Sequence, residues 1–370
     1  MMQKNNWYQV KNSNEIITPA LLVYPERIKQ NIESMISLSG SPNRLIPHVK
    51  TYKMKEIVKF QMSYGINEFK CATLGEMHML ISCEVKHILI AIQPTKEKII
   101  KILEAQKKYH NIIFSTLVDN NFSLNLFSKL AAKQNEKLNL WVDINNGMNR
   151  TGIKPENAKN LCLELSNNSN LNFKGFHIYD GHIRLSNIDE RTALCNKAFL
   201  NVECLIEEIE NEAICIPEII TGGTPSFYPH SLRKNNRLSP GTTLLWDLGY
   251  QKIWKEAPFL FSAILAIRLI SIPDNNILCF DLGHKAVASE MSFPRVEILG
   301  LEDAIHIGQS EEHLIVEYNK KNDFKIGDLF YAIPFHICPT VAKYKKAYIV
   351  KNGEIGAFWE IEACDYQYDT

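Results

Sequence analysis

A chain of 370 residues with 41 Lys and Arg against 41 Asp and Glu carries no formal net charge. It has no long block of like charge, which excludes nucleic acid or an anionic membrane as the main partner, because both need a concentrated basic surface. A hydrophobic share of 45% is ordinary for a globular protein, and the length exceeds the ~250–300 residues at which one core stops growing. One large domain plus a smaller one is therefore expected, with a small molecule as substrate.

The first residues, Met1-Met2-Gln3-Lys4-Asn5-Asn6-Trp7, lack the apolar core of a signal peptide, and no run approaches a membrane span. Nine cysteines, an odd number, are scattered without a Cys-x-x-Cys pair. Cys71, Cys162 and Cys279 sit in apolar surroundings and read as plain buried thiols, so a reducing cytoplasm is the expected compartment.

From Pro19 onward, short apolar runs alternate with longer segments of helical spacing. The runs are Ala20–Tyr24, Leu45–Val49, Glu68–Ala72, His87–Ile92, Ile112–Val118, Leu138–Ile144, Phe173–Tyr179 and Ile214–Ile220. Asp119 and Pro155 are helix-start residues by type and position. Strands alternating with helices imply parallel βαβ units. Eight of them fit a (β/α)8 TIM barrel over residues 16–250. An open doubly wound sheet is disfavoured, since no G-x-G-x-x-G follows the first run. Beyond Pro258, strand-like runs follow one another without long helices. They are Leu260–Ile272, Ile277–Asp281, Arg295–Leu301, His313–Tyr318, Asp328–Ile333 and Ala347–Val350, and they predict a smaller, mostly β domain over 251–370. Residues 1–15 are too few to fold alone and are expected to pack onto it.

In such a barrel, chemistry belongs where strands end and loops begin. Lys50 closes the second run, where a barrel enzyme would hold a carbonyl as a Schiff base; the competing reading is a solvated surface lysine. Gly222, Gly223 and Thr224 follow the eighth run. Paired glycines let backbone N–H groups approach a phosphate, although a Gly-Gly turn before Pro225 is the more ordinary account of them. Arg150 ends a turn-rich stretch and could grip a phenolate or carboxylate, or simply pair with an acid such as Asp143. Tyr179 and His182 could hydrogen-bond a cofactor or move protons. In the second domain, His336 and Cys338 share one direction if their segment is extended. Imidazole plus thiolate suits zinc, and two protein ligands leave the open positions of a catalytic site.

Taken together, Pro47-His48-Val49-Lys50-Thr51-Tyr52-Lys53, Phe69-Lys70-Cys71-Ala72-Thr73, Gly147-Met148-Asn149-Arg150-Thr151-Gly152, Tyr179-Asp180-Gly181-His182, Gly222-Gly223-Thr224-Pro225 and His336-Ile337-Cys338-Pro339 resemble the D-threonine aldolase / D-serine dehydratase family. These are fold-type III pyridoxal phosphate enzymes with an alanine racemase-like barrel. The likeness runs from about Thr18 to Tyr344. It implies that Lys50 is the Schiff-base lysine, that Arg150 approaches the cofactor's phenolic oxygen and Tyr179 its ring, and that Gly222, Gly223 and Thr224 cradle the phosphate. It further implies a divalent metal on His336 and Cys338, zinc before manganese, and a homodimer. Two features depart from the family's pattern. Tyr52 stands where the family often has histidine, and His-x-Cys is similar to the dehydratase pair while Tyr-Asp-Gly-His looks like the aldolase side.

The resemblance implies a metal-assisted lyase for D-3-hydroxy amino acids, D-threonine aldolase first, with His182 as a candidate base. D-serine or D-threo-3-hydroxyaspartate dehydratase is the alternative. An amino-acid racemase, or a non-catalytic pyridoxal phosphate carrier, stands further off. A carrier would lack the second domain that holds His336 and Cys338.

Overall fold

The computed structural model describes residues 6–321 and 323–364. They form two compact units, one of residues 35–50 and 58–241, the other of 6–34, 51–57 and 242–364. Strands are numbered in chain order: β1 Ala20–Val23, β2 Glu68–Cys71, β3 His87–Ile90, β4 Ile113–Val118, β5 Leu138–Ile144, β6 Leu171–Ile178, β7 Glu218–Thr221 and β8 Arg237–Leu238. Those that follow are β9 Ala263–Asp274, β10 Ile277–Phe280, β11 Val296–Ile298, β12 Ile305–Gln309, β13 Leu314–Glu317, β14 Leu329–Pro334, β15 Lys346–Lys351 and β16 Glu354–Glu360.

In the first unit, β2 to β8 make a parallel sheet of seven strands in sequence order among the described residues. Residues 45–48 join its two edges. Leu45 bridges Leu238 of β8, and His48 bridges Lys70 of β2. Backbone hydrogen bonds from Ile46 to Leu238 and from Lys70 to Pro47, both 2.9 Å, seal the seam. The expected (β/α)8 barrel is therefore present, with this short piece as its first strand. Pro47 has no N–H to give a ladder, which keeps the piece irregular.

The barrel strands are largely buried because helices cover one face and the barrel interior the other. β3, for example, is buried at every position. Ile46, Leu89, Leu117, Trp141 and Ile220 fill the interior. Helices start where side chains satisfy their first N–H groups. Thr73 Oγ1 accepts from Glu76 N at 3.1 Å, and Asn120 Oδ1 from Ser123 N at 2.8 Å. Pro155 opens its helix as expected. The cap expected of Asp119 falls one residue later, on Asn120, and Asp119 Oδ2 instead accepts from Gly152 N at 3.0 Å.

Polar groups tie the barrel at the starts of its strands. Glu68 Oε2 meets His87 Nδ1 (2.8 Å) and Arg237 (2.8 Å), and Arg237 also reaches Glu218 (3.1 Å). His87 Nε2 continues to Ser115 Oγ at 2.7 Å, which also accepts from Trp141 Nε1 at 3.1 Å.

In the second unit, nine strands form one sheet among the described residues, with β1 between β9 and β15. The run Ala20–Tyr24 is thus not a barrel strand. β1 pairs antiparallel with β9 and parallel with β15. Being apolar at every position, it suits any strand buried on both faces, and only its distant partners decide the sheet. β12 and β16 fall outside the expected runs; neither has a fully buried position, and their apolar residues do not form a continuous run. Leu22, Ile264, Ala266, Tyr331 and Val350 centre the core. Val10 N donates to Tyr331 Oη at 3.0 Å and Lys11 N to Gly353 O at 2.8 Å. Residues 1–5 and 365–370, included in the expected packing and domain ranges, lie outside the described residues. Among the described residues no helix is long and apolar enough to cross a membrane.

Candidate active site

A cavity of about 320 Å³ opens among the ends of the barrel strands, lined by His48, Lys50, Lys70, Gln93, Arg150 and Tyr179, among others. Lys50 lies just past the sealing segment, and its backbone N–H donates to His48 Nδ1 at 3.2 Å. Three basic side chains surround the Tyr179 ring. Lys50 Nζ and Lys70 Nζ each stand 5.8 Å from its centroid and the Arg150 guanidinium carbon 5.0 Å. The surface reading of Lys50 thus gives way to a half-buried amine facing a cavity, and Arg150 is not paired with Asp143.

Asp143 is instead buried and committed elsewhere. Its Oδ1 meets His177 Nδ1 at 2.7 Å, while Oδ2 accepts from Gln93 (2.6 Å) and Thr151 (3.0 Å). Burial would raise its pKa, but these hydrogen bonds outweigh that and hold the carboxyl below its ordinary value. His177 Nε2 lies 3.3 Å from Lys70 Nζ. Burial, with the Lys70 charge, lowers the His177 pKa. Burial, with Lys50 nearby, brings Lys70 down to about 7.

The Gly222–Thr224 loop follows β7, the penultimate barrel strand, because the run Ala20–Tyr24 no longer counts toward the eight. Gly222 has φ +71°, and a Cβ there would lie 2.9 Å from both His230 Cδ2 and Ser226 Oγ. A Cβ on Gly223 would fall 2.5 Å from Tyr179 Cε2. Both glycines are therefore demanded by close approach, and Tyr179 is wedged against the loop. Gly223 N donates to Ser226 Oγ at 3.3 Å, and Thr224 Oγ1 accepts from Gly241 N at 3.2 Å. Behind them, fully buried Asp180 accepts from Ser226 Oγ and from His230 Nε2 (2.6 Å). Asp180, His230 and Cys195 are close enough to hold a cation. Burial pushes the Cys195 thiol up to about 12, and Asp180 is already spoken for, so the cluster reads as a support for the loop. His182 is exposed beside Gly147 and does not line the cavity.

In the other unit, His336 caps the short helix Ile337–Val341, with Cys338 in its first turn. The segment is not extended as expected, yet the two side chains meet. Burial disfavours charge on both. Their mutual hydrogen bond prevails, raising His336 to about 9 and lowering Cys338. Thr51 Oγ1 and Thr242 Oγ1 lie 3.1 and 3.4 Å from Cys338 Sγ. Glu290 holds His336 Nδ1, the carboxylate support typical of a metal-binding imidazole.

The residues fit both groups that the fold family implies. Three basic side chains, a tyrosine face and a glycine loop suit an anionic aromatic phosphate. A thiolate beside a carboxylate-supported imidazole suits zinc. Sequence reasoning missed Lys70, His177 and Glu290 as candidate site residues; for Lys70 the available signal was a charge between the apolar Phe69 and Cys71.

This fold falls into a known class. The family described as alanine racemase, N-terminal domain, matches residues 23–247, and a serine dehydratase domain matches 262–350. The chain belongs to the alanine racemase N-terminal domain family, in the branch that carries this second domain. It is 22% identical to the D-threonine aldolase of Arthrobacter sp, over 94% of this chain and 92% of that one. It is 24% identical to the D-serine dehydratase of Dictyostelium discoideum, over 95% and 96%. Among solved structures, the D-threonine aldolase of Filomicrobium marinum superposes with a TM-score of 0.85 at 22% identity, covering 94% of this chain and 96% of that one.

Proposed function

We propose that this chain is a pyridoxal phosphate- and metal-dependent lyase of D-3-hydroxy amino acids, with D-threonine aldolase as the leading activity. The observation that carries the reading is Lys50 facing a cavity that it shares with Arg150 and Tyr179. When bound, the cofactor supplies an electron sink for a bond broken at Cα. Lys50 would carry it. Arg150 would offset the phenolic charge, Tyr179 would pack against the ring, and Gly222, Gly223 and Thr224 would hold the phosphate. His336 and Cys338 would hold a divalent cation, zinc before manganese, whose chemistry is that of a Lewis acid toward the substrate hydroxyl. His182, exposed as it is, remains the proposed base for the hydroxyl proton. Small D-amino acids are the proposed substrates, and a cytoplasmic homodimer the proposed form.

One observation favours a second reading. The metal pair contains a thiol at Cys338, which points to a D-serine or D-threo-3-hydroxyaspartate dehydratase. Racemase and carrier readings give the metal pair no work. The test is product analysis of the cofactor-loaded protein with D-threonine and D-serine, with zinc, manganese or a chelator. Glycine and acetaldehyde from D-threonine support the aldolase; ammonia and a 2-oxo acid establish the dehydratase instead. No metal-dependent product overturns both.

A further inference from the structure

The proposed function leaves Lys70 without work. Lys70 is 2% exposed and third in Glu68-Phe69-Lys70-Cys71, where Phe69 and Cys71 are fully buried. Strand alternation turns it away from those two and into the barrel, where it lines the cavity with Lys50. A lysine so buried needs a partner, because an isolated ammonium in an apolar interior is very costly. Its partner is His177 Nε2, 3.3 Å away.

The direction of that contact follows from the next one. Asp143 is acceptor to Gln93 and Thr151, and its other oxygen faces His177 Nδ1 at 2.7 Å. An ionised Asp143 requires Nδ1 to donate, so a neutral His177 presents Nε2 as an acceptor. Lys70 then gives His177 one hydrogen and has its remaining ones for the cavity. Lys50 and Arg150 oppose charge on this amine, whereas Asp143 and Asp180 favour it. His48 and Tyr179 are the other titratable groups of the cavity wall. Burial, with these charges, brings the Lys70 pKa down to about 7, so above that pH an arriving anion would draw a proton onto it.

We propose that Lys70 is a second positioning lysine of this site: held by the Asp143–His177 pair, its ammonium supplies part of the positive charge that binds the anionic cofactor carried by Lys50. The proposal rests on the pyridoxal phosphate reading. It entails that cofactor binding takes up a proton on Lys70 at pH values above its own titration.

The experiment measures pyridoxal phosphate dissociation constants and the visible absorbance of the bound cofactor from pH 6 to 9. It compares the wild type, Lys70→Met, Lys70→Arg and Lys50→Ala. The wild type should bind progressively more weakly from pH 7 to 9, by about tenfold in all beyond what Lys70→Met shows. Lys70→Met should bind roughly tenfold more weakly at pH 6.5, the scale of one lost charged contact. Lys70→Arg, always charged, should lose the pH dependence and keep its affinity at pH 9. A Lys70→Met protein with wild-type affinity and pH profile overturns the proposal. If circular dichroism shows that Lys70→Met is unfolded, Lys70→Arg decides, and an unchanged slope overturns it. A wild type without a visible band overturns the pyridoxal phosphate reading itself, and the proposal with it; a band that persists unchanged in Lys50→Ala overturns Lys50 as the carrier, and the proposal with it.

Discussion

At the scale of single residues, the site is built from side chains whose neighbours leave them little choice. Tyr179 is wedged by Gly181 and Gly223, each lacking the Cβ that would strike its ring. Gly223→Ala should displace the ring and raise the pyridoxal phosphate dissociation constant by roughly tenfold, ~1.4 kcal/mol, measurable by fluorescence titration. Cys338→Ala leaves His336 and Glu290 without the thiolate. Bound metal should then be lost by elemental analysis, and metal-dependent turnover should fall by at least about 10²-fold. Lys50 and Tyr179 were legible in the sequence because each follows a strand end, and Arg150 because it closes the turn-rich stretch after β5. Lys70 and His177 were not, because they become site residues only when β2 and β6 face each other across the barrel. His182 was legible by motif, but its exposure is a property of the loop that carries it.

At the scale of elements, strand starts and close crossings carry the stability. Gly175 in β6 has φ +119°, and a Cβ would lie 1.8 Å from the Glu218 carbonyl oxygen of β7. Gly175→Ala should therefore destabilise the barrel by more than about 3 kcal/mol, read by urea unfolding, because rigid backbone must move. The Glu68–His87–Arg237 cluster makes a pH prediction. Burial alone would raise the Glu68 pKa, but His87 and Arg237 bring it down to about 2 from an ordinary 4.5. A depressed carboxylate contributes stability above its unfolded pKa and loses it as pH falls through the folded one. Stability should thus hold down to about pH 4.5 and decline toward pH 2. Glu68→Gln should flatten that limb in denaturation curves, by a modest amount because the group is partly exposed. The identity of β1 belongs to this scale too: four apolar residues announce a buried strand but carry no address.

At the scale of the whole molecule, the two candidate residue sets belong to different compact units, Lys50 with the barrel residues and His336 with Cys338 in the other. On the proposed function, a chelator should abolish turnover while the visible absorbance of the cofactor proposed on Lys50 persists, a split that one spectrophotometric experiment reads. The sequence by itself determined the barrel, the β-rich remainder and the residues at strand ends, because hydrophobic period and turn chemistry are local properties. It also carried the family motifs, which are written contiguously. Only the tertiary structure decided that Leu45–His48 closes the barrel, that β1 joins β9 and β15, and that Asp143, His177 and Lys70 form one chain. Those are pairings between residues far apart along the chain, and no local periodicity encodes which distant partner a buried strand or charge will meet.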